Sequence, residues 1–202
     1  MNILYVCRQN MDRSAIAEWL TAIKAEAAGL SIVVNSAGMA KARNYEISPE
    51  LLFSANLYLK KRKYPASLIE RLKTHRPKQI SIDDVAQANL ILAMSRTQHS
   101  VLEKMFSEDI YLKDKLYTLS EYAQGEYKKV SSPVELSSSS KAMPKRALSL
   151  IPDWLPLDVR RYLFPAHPGK INKQDRVGIQ QLHDRMIQQI DSYVNAVLEK
   201  AA

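Results

Sequence analysis

The sequence predicts a three-layer α/β/α domain around a four-stranded parallel sheet, with helices on both faces. Three observations carry this. Short apolar runs recur along the chain, and stretches of helical periodicity lie between them. Strands that alternate with helices pair in parallel, because each crossover helix lies against a face of the sheet. The first apolar run stops at a polar segment that opens a helix, the place where ligand sites form in open α/β sheets.

Residues 2–7 make the first strand: Ile3, Leu4, Tyr5 and Val6 are continuously apolar, as burial on both faces requires. The polar stretch Arg8-Gln9-Asn10-Met11-Asp12-Arg13 follows. A helix is predicted from Ser14 to Ala28, with Ile16, Ala17, Leu20 and Ile23 on one face. Leu30 to Asn35 reads as a second buried strand, ended by Ser36-Ala37-Gly38. Ser48-Pro49-Glu50 opens a further helix, with Ser48 as cap and Pro49 at the first helical position. Asp83 to Ala88 is a short helix, Asn89 to Met94 a third strand, Thr97 to Phe106 a helix and Leu116 to Leu119 a fourth strand.

Residues 122–170 break the rhythm. Ser131-Ser132-Pro133 and the run Ser137 to Ser140 read as an exposed loop, with a short helix at Asp158 to Leu163. A long helix closes the chain, about Lys173 to Glu199. Leu182, Met186, Ile190, Tyr193 or Val194, and Val197 recur along it at helical spacing. His183 and Asp184 are assigned to its solvated face. The chain is read as one domain, residues 1–202, enlarged by the insertion at about 122–170.

Composition narrows the function. With 46% hydrophobic residues the chain can bury a core, yet no apolar run reaches the roughly 18–20 residues of a membrane span. Met1 to Val6 is too short and lacks the basic leader of a signal peptide, so a cytoplasmic protein is expected. The single cysteine excludes an intramolecular disulfide. A formal net charge of +8 favours anionic partners. No interleaving of aromatic and basic residues accompanies it, so no nucleic-acid partner is expected. No His/Cys/Asp/Glu cluster has metal-ligand spacing, and neither metal nor cofactor is expected.

The chemistry concentrates at the end of the first strand. Cys7 is followed by Arg13 six positions on and by a helix at Ser14, a Cys-x5-Arg-Ser spacing. A tight loop entering a helix N-terminus turns several backbone N–H groups inward, and the helix dipole adds positive charge. An anion is held well there, and the same field favours a thiolate at Cys7. The planar fork of Arg13 can bind two equatorial phosphate oxygens at once. The Ser14 hydroxyl can donate to the sulfur. Residues Arg8, Gln9, Asn10, Met11, Asp12, Arg13 and Ser14 are thus the candidate phosphate-binding loop.

Val6 to Glu18 resembles the phosphate loop of the low-molecular-weight tyrosine phosphatases, and of the arsenate reductases that share their fold. That family reads V-C-x-G-N-x-C-R-S-P-x-A-E. Asn35-Ser36-Ala37-Gly38 resembles its S-A-G strand end, and His75-Arg76-Pro77-Lys78-Gln79 its H-x-[AS]-[RK]-Q segment. Asn89 to Met94 resembles its D-L-I-L-[AV]-M strand, so the likeness covers about residues 2–120. It implies that Asn10 turns left-handed and joins Ser14, Ser36 and His75 in a network that holds the loop in shape.

The departures are equally specific. The family's loop glycine is Gln9, which would be strained if that position needs positive φ. The second loop cysteine is Asp12, so the neighbouring thiol that can protect the nucleophile as a disulfide is missing. Asp12 also brings a carboxylate near an anion site, which Arg8 can offset. The acid that orients the loop arginine is Ser95. The family's general acid, the Asp of a D-P-aromatic loop, has no counterpart, since Asp-Pro occurs nowhere in the chain. Two candidates stand in its place. His167, in His167-Pro168-Gly169, lies at the right distance before the last helix. Asp153, in Ile151-Pro152-Asp153-Trp154, would bring Trp154 as an aromatic wall.

The resemblance implies phosphotyrosine-type phosphomonoester hydrolysis through a phosphocysteine, on phosphorylated proteins or small aryl phosphates. Basic residues of the insertion, Lys128, Lys129, Lys141, Lys145, Arg146, Arg160 and Arg161, are expected either to form a solvated face, the favoured reading, or to steer acidic substrates. Two rivals share the fold: a phosphate- or phosphoprotein-binding module without turnover, and an arsenate reductase. With Cys7 alone, the second requires an external thiol.

Overall fold

The computed structural model describes residues 1–40, 46–126 and 173–202, with side chains in the last stretch from residue 178 onward. The expectations at Asp153, Trp154, His167, Asp158 to Leu163 and the basic residues of the insertion lie outside the described residues.

Strand β1 (Asn2–Cys7) runs up the middle of the sheet, between β2 (Val33–Gly38) and β3 (Leu90–Ala93). The fourth strand, β4 (Leu116–Thr118), pairs with β3, and every pairing is parallel in the order β2-β1-β3-β4. Parallel strands need crossovers, and helices supply them: α1 (Arg13–Ala27), α2 (Pro49–Arg62), α3 (Ile69–Lys73), α4 (Ile82–Gln87), α5 (Arg96–Met105) and α6 (Leu112–Lys115); α7 (Leu119–Gln124) and α8 (Lys173–Ala201) follow the last strand.

The period of two in β1 sorts the core into two layers. Ile3, Tyr5 and Cys7 point to the face packed by α1, α2 and α8, against Ile16, Leu20, Leu51, Leu59 and Ile190. Leu4 and Val6 point to the opposite face, against Val85, Leu102 and Leu112. A strand buried on both faces reads as an unbroken apolar run, as β1 does. Buried Tyr5 keeps its hydroxyl satisfied 2.8 Å from Thr21 Oγ.

The second strand starts three residues later than the pattern suggested and takes in Ser36-Ala37-Gly38. Its register explains this, with Asn2 opposite Val33 and Cys7 opposite Gly38. The apolar start of that run is not core: β2 is an edge strand, and Val33 is 56% exposed. The helices at Ile69–Lys73, Leu112–Lys115 and Leu119–Gln124 are too short to show a period. Ser48, in contrast, caps α2 as expected, accepting from Leu51 N at 3.2 Å.

Helix α8 packs against α1, α2 and α7, and it corrects the placement of His183. That side chain is 8% exposed, not solvated, whereas Leu182 and Asp184 are half-buried. Three-sided packing widens the covered stripe beyond the apolar residues. It also buries Asp191, which pairs with Lys24 of α1 at 2.5 Å and Arg62 of α2 at 3.2 Å.

Burial holds the His183 imidazole below its ordinary pKa, against the pull of the Asp12, Glu50 and Asp184 carboxylates and of the Ile179 backbone. The unfolded chain takes a proton near pH 6.5 while the folded chain resists it. Stability at His183 is therefore present above pH 6.5 and lost on acidification below it, by at most about 1.4 kcal/mol per pH unit. Urea melts at pH 7, 6 and 5 are expected to show a steeper acid loss in the native protein than in His183→Leu. Equal slopes would refute this.

Candidate active site

The loop between β1 and α1 is closed from both sides. Met39 N donates to Cys7 O at 3.0 Å and Ala40 N to Arg8 O at 2.8 Å, so the chain leaving β2 lies along it. Gly38 permits that approach. A Cβ at this position would sit 2.8 Å from the Gln9 backbone carbon, and 3.0 Å from Arg8 O and Asn10 N. None of these backbone atoms can swing aside. Gly38→Ala is therefore expected to push the loop away and lower kcat on p-nitrophenyl phosphate by about 10²-fold, as ångström-scale misplacement does elsewhere. Activity within threefold of native would show that the loop can give.

Cys7 is 3% exposed. Two donors point at its sulfur: Asn10 N at 3.2 Å and Ser14 Oγ at 3.0 Å. Arg13, the first residue of α1, is 9% exposed. Asn10 carries the left-handed backbone of the loop, with φ 58°; Gln9 does not, so the strain expected from the missing glycine is absent there. Asparagine tolerates this conformation better than most residues.

Side chains lock the turn in one direction. The Asn10 amide donates to Ser14 Oγ at 3.1 Å and to Ser36 Oγ at 2.6 Å. Its carbonyl oxygen accepts from Lys78 N at 3.1 Å. Ser36 Oγ donates to Glu18, whose carboxylate can only accept. Each hydroxyl proton is thereby committed. Ser36 gives its proton to Glu18 and accepts from Asn10; Ser14 accepts from Asn10 and has its proton left for the sulfur. His75 Nε2 lies 2.9 Å from Asn10 O and must carry the proton there, while Nδ1 faces Glu18 at 3.8 Å. Burial pushes the Glu18 carboxyl up, opposed by the Ser36 hydrogen bond and by His75 and Lys78.

Glu18 was not among the site residues read from the sequence, although it stands in the motif there. The signal was its spacing: four residues after Ser14 on one helix, the two share a face. Asp12 occupies the N-cap position of α1 without a side-chain cap bond, and its charge acts on His183 of α8. Ser95, which stands where an arginine-orienting acid would, caps α5 by accepting from Gln98 N at 3.3 Å. Among the described residues no group of three His, Cys, Asp or Glu side chains is placed to hold a metal. No helix there is long and apolar enough to cross a membrane.

A parallel α/β sheet with a buried cysteine and arginine at either end of the loop after its central strand has the architecture of a class, the cysteine-based phosphatases. The profile described as low molecular weight phosphotyrosine protein phosphatase matches residues 2–149, and the chain belongs to that family. The protein-arginine-phosphatase of Bacillus subtilis (strain 168) is 32% identical over 136 residues, 66% of this chain and 79% of the relative. The low molecular weight protein tyrosine phosphatase from T. tengcongensis shares the fold with a TM-score of 0.66 at 20% identity, covering 99% of both chains. The low molecular weight phosphotyrosine phosphatase VcLMWPTP-2 from Vibrio cholerae O395 does so with a TM-score of 0.64 at 19% identity, over 99% and 95%.

Proposed function

We propose that this phosphatase hydrolyses phosphotyrosine-type phosphomonoesters of cytoplasmic proteins through a phosphocysteine intermediate. The depth of the sulfur is the observation that supports this most. Cys7 is 3% exposed within the loop, a burial that suits a long aryl phosphate better than a short alkyl phosphate.

In the first step the Cys7 thiolate attacks phosphorus in line, the S–P bond forms and the P–O bond to the phenol breaks. The loop amides and the Arg13 guanidinium hold the equatorial oxygens. The phenolate takes a proton from the general acid, for which His167 and Asp153 remain the candidates. In the second step water attacks phosphorus, the same group takes the water's proton, and the thiolate leaves with the Ser14 hydroxyl donating to it. This chemistry uses no metal.

Similarity to a protein-arginine-phosphatase favours a second reading, in which the scissile bond is P–N and the leaving group a guanidine. Purified protein assayed on one peptide carrying phosphotyrosine, phosphoarginine or phosphoserine decides between them. The expected order is phosphotyrosine first, by at least about tenfold in kcat/KM, with phosphoserine inert. A ratio inverted towards phosphoarginine assigns the second reading. Vanadate binding without turnover of any of the three leaves a binding module.

A further inference from the structure

We propose that the outer face of α2 is a docking groove for an acidic protein segment bearing an aromatic or aliphatic anchor, remote from the catalytic loop. A cleft of about 610 Å³ opens there, with Phe53, Leu57, Tyr64 and Ala66 as apolar walls and Lys60 and Lys63 at its rim. None of its lining residues belongs to the phosphate loop or to the residues that hold it.

The cleft exists because α2 ends abruptly. Lys63 turns left-handed at φ 59°, and Tyr64 N then donates back to Leu59 O at 2.9 Å. That reversal sets Tyr64 beside the helix it has just left. Phe53 stays 58% exposed on the same side and joins Leu57, Tyr64 and Ala66 in one apolar patch.

Charge selects the occupant. From Leu51 to Ile69 there is no Asp or Glu, while Lys60, Lys61, Arg62 and Lys63 run consecutively. Arg62 is engaged by Asp191 and lies over the Tyr58 ring at 5.7 Å. Lys60, Lys61 and Lys63 are exposed, and among the described residues no carboxylate pairs with them. Positive charge at a helix C-terminus suits the dipole, but that accounts neither for the exposed ring nor for the recess. An apolar recess with an unpaired basic rim complements an anchor residue flanked by carboxylates. A lipid surface fits less well, since membrane insertion needs apolar side chains that protrude, not a recess.

As a device for recruiting substrate this rests on the phosphoprotein reading above; as a binding site it does not. The probe is a fluorescein-labelled peptide of Asp and Glu around one Phe, with no phosphate, titrated against the full chain. Binding is expected at low salt and weakens as salt rises. Lys60→Glu/Lys63→Glu is expected to weaken it about tenfold or more, and Phe53→Ala about fivefold. Turnover of p-nitrophenyl phosphate should be unchanged in all variants. With phosphotyrosine added to the peptide, the double variant should raise KM and leave kcat alone.

No binding to the native chain, or equal binding to the double variant, overturns the groove. So does lysine-dependent binding to anionic phospholipid vesicles that the peptide does not compete away. If the native chain fails to turn over p-nitrophenyl phosphate, the phosphatase reading fails while the binding titration still decides the groove.

Discussion

Serine in place of Cys7 is expected to abolish turnover, with kcat on p-nitrophenyl phosphate falling at least about 10⁴-fold, as loss of a nucleophile does elsewhere. The substitution changes one atom. Asn10 N and the Ser14 hydroxyl still find an acceptor where they now point at sulfur, so the cradle should keep its shape. What changes is the nucleophile: a hydroxyl is far harder to ionise than a thiol, and the loop's field does not close that gap. Vanadate should therefore still bind. The native enzyme, quenched with acid during turnover, should carry phosphate on Cys7 by mass spectrometry. A serine variant that retains a hundredth of native activity would remove the covalent step from the mechanism.

The second large effect belongs to Arg13→Lys, for which kcat/KM is expected to fall by about 10²–10³-fold, mostly in kcat. Arg13 opens α1 and is 9% exposed as a residue, so its charge is held in a site with little water. Lysine keeps the charge and loses the planar pair of donors that matches two equatorial oxygens. Those oxygens gather charge as the P–O bond breaks, so the missing hydrogen bond is felt most in the transition state. Arg8→Lys is the control: Arg8 is half-buried and offers bulk charge, and less than a threefold loss is expected. Native-like activity in Arg13→Lys would mean that charge alone matters, and equal losses at both positions would deny Arg13 its special place.

The residues of the candidate loop were legible because they are contiguous and their geometry is local. A strand ending at Cys7, five residues and a helix starting at Arg13 fix where the two side chains sit. The sheet was legible for the same reason, since burial of β1 on both faces leaves an unbroken apolar run. Contacts made by tertiary packing left none. His183 looks polar in sequence and belongs to the covered stripe of α8, because three helices meet there. Val33 looks like core and lies on an edge. Glu18 sits within the motif, but its part in orienting Ser36 depends on a strand eighteen residues away. The left-handed turn lies at Asn10, as the resemblance implied, and Gln9 does not need positive φ.

The chain's one sulfur carries a chemical liability. The nucleophile that the proposed mechanism requires at Cys7 would also be open to peroxide, which hands it an oxygen atom and leaves a sulfenic acid. In a loop with a second cysteine the next event is rapid internal capture. Here Asp12 fills that place and no other cysteine exists in the sequence. Rescue must come from a small thiol that diffuses in, or from the Asn10 amide nitrogen 3.2 Å away. Where neither arrives first, a second oxidant carries the sulfur to sulfinic acid and the enzyme is lost.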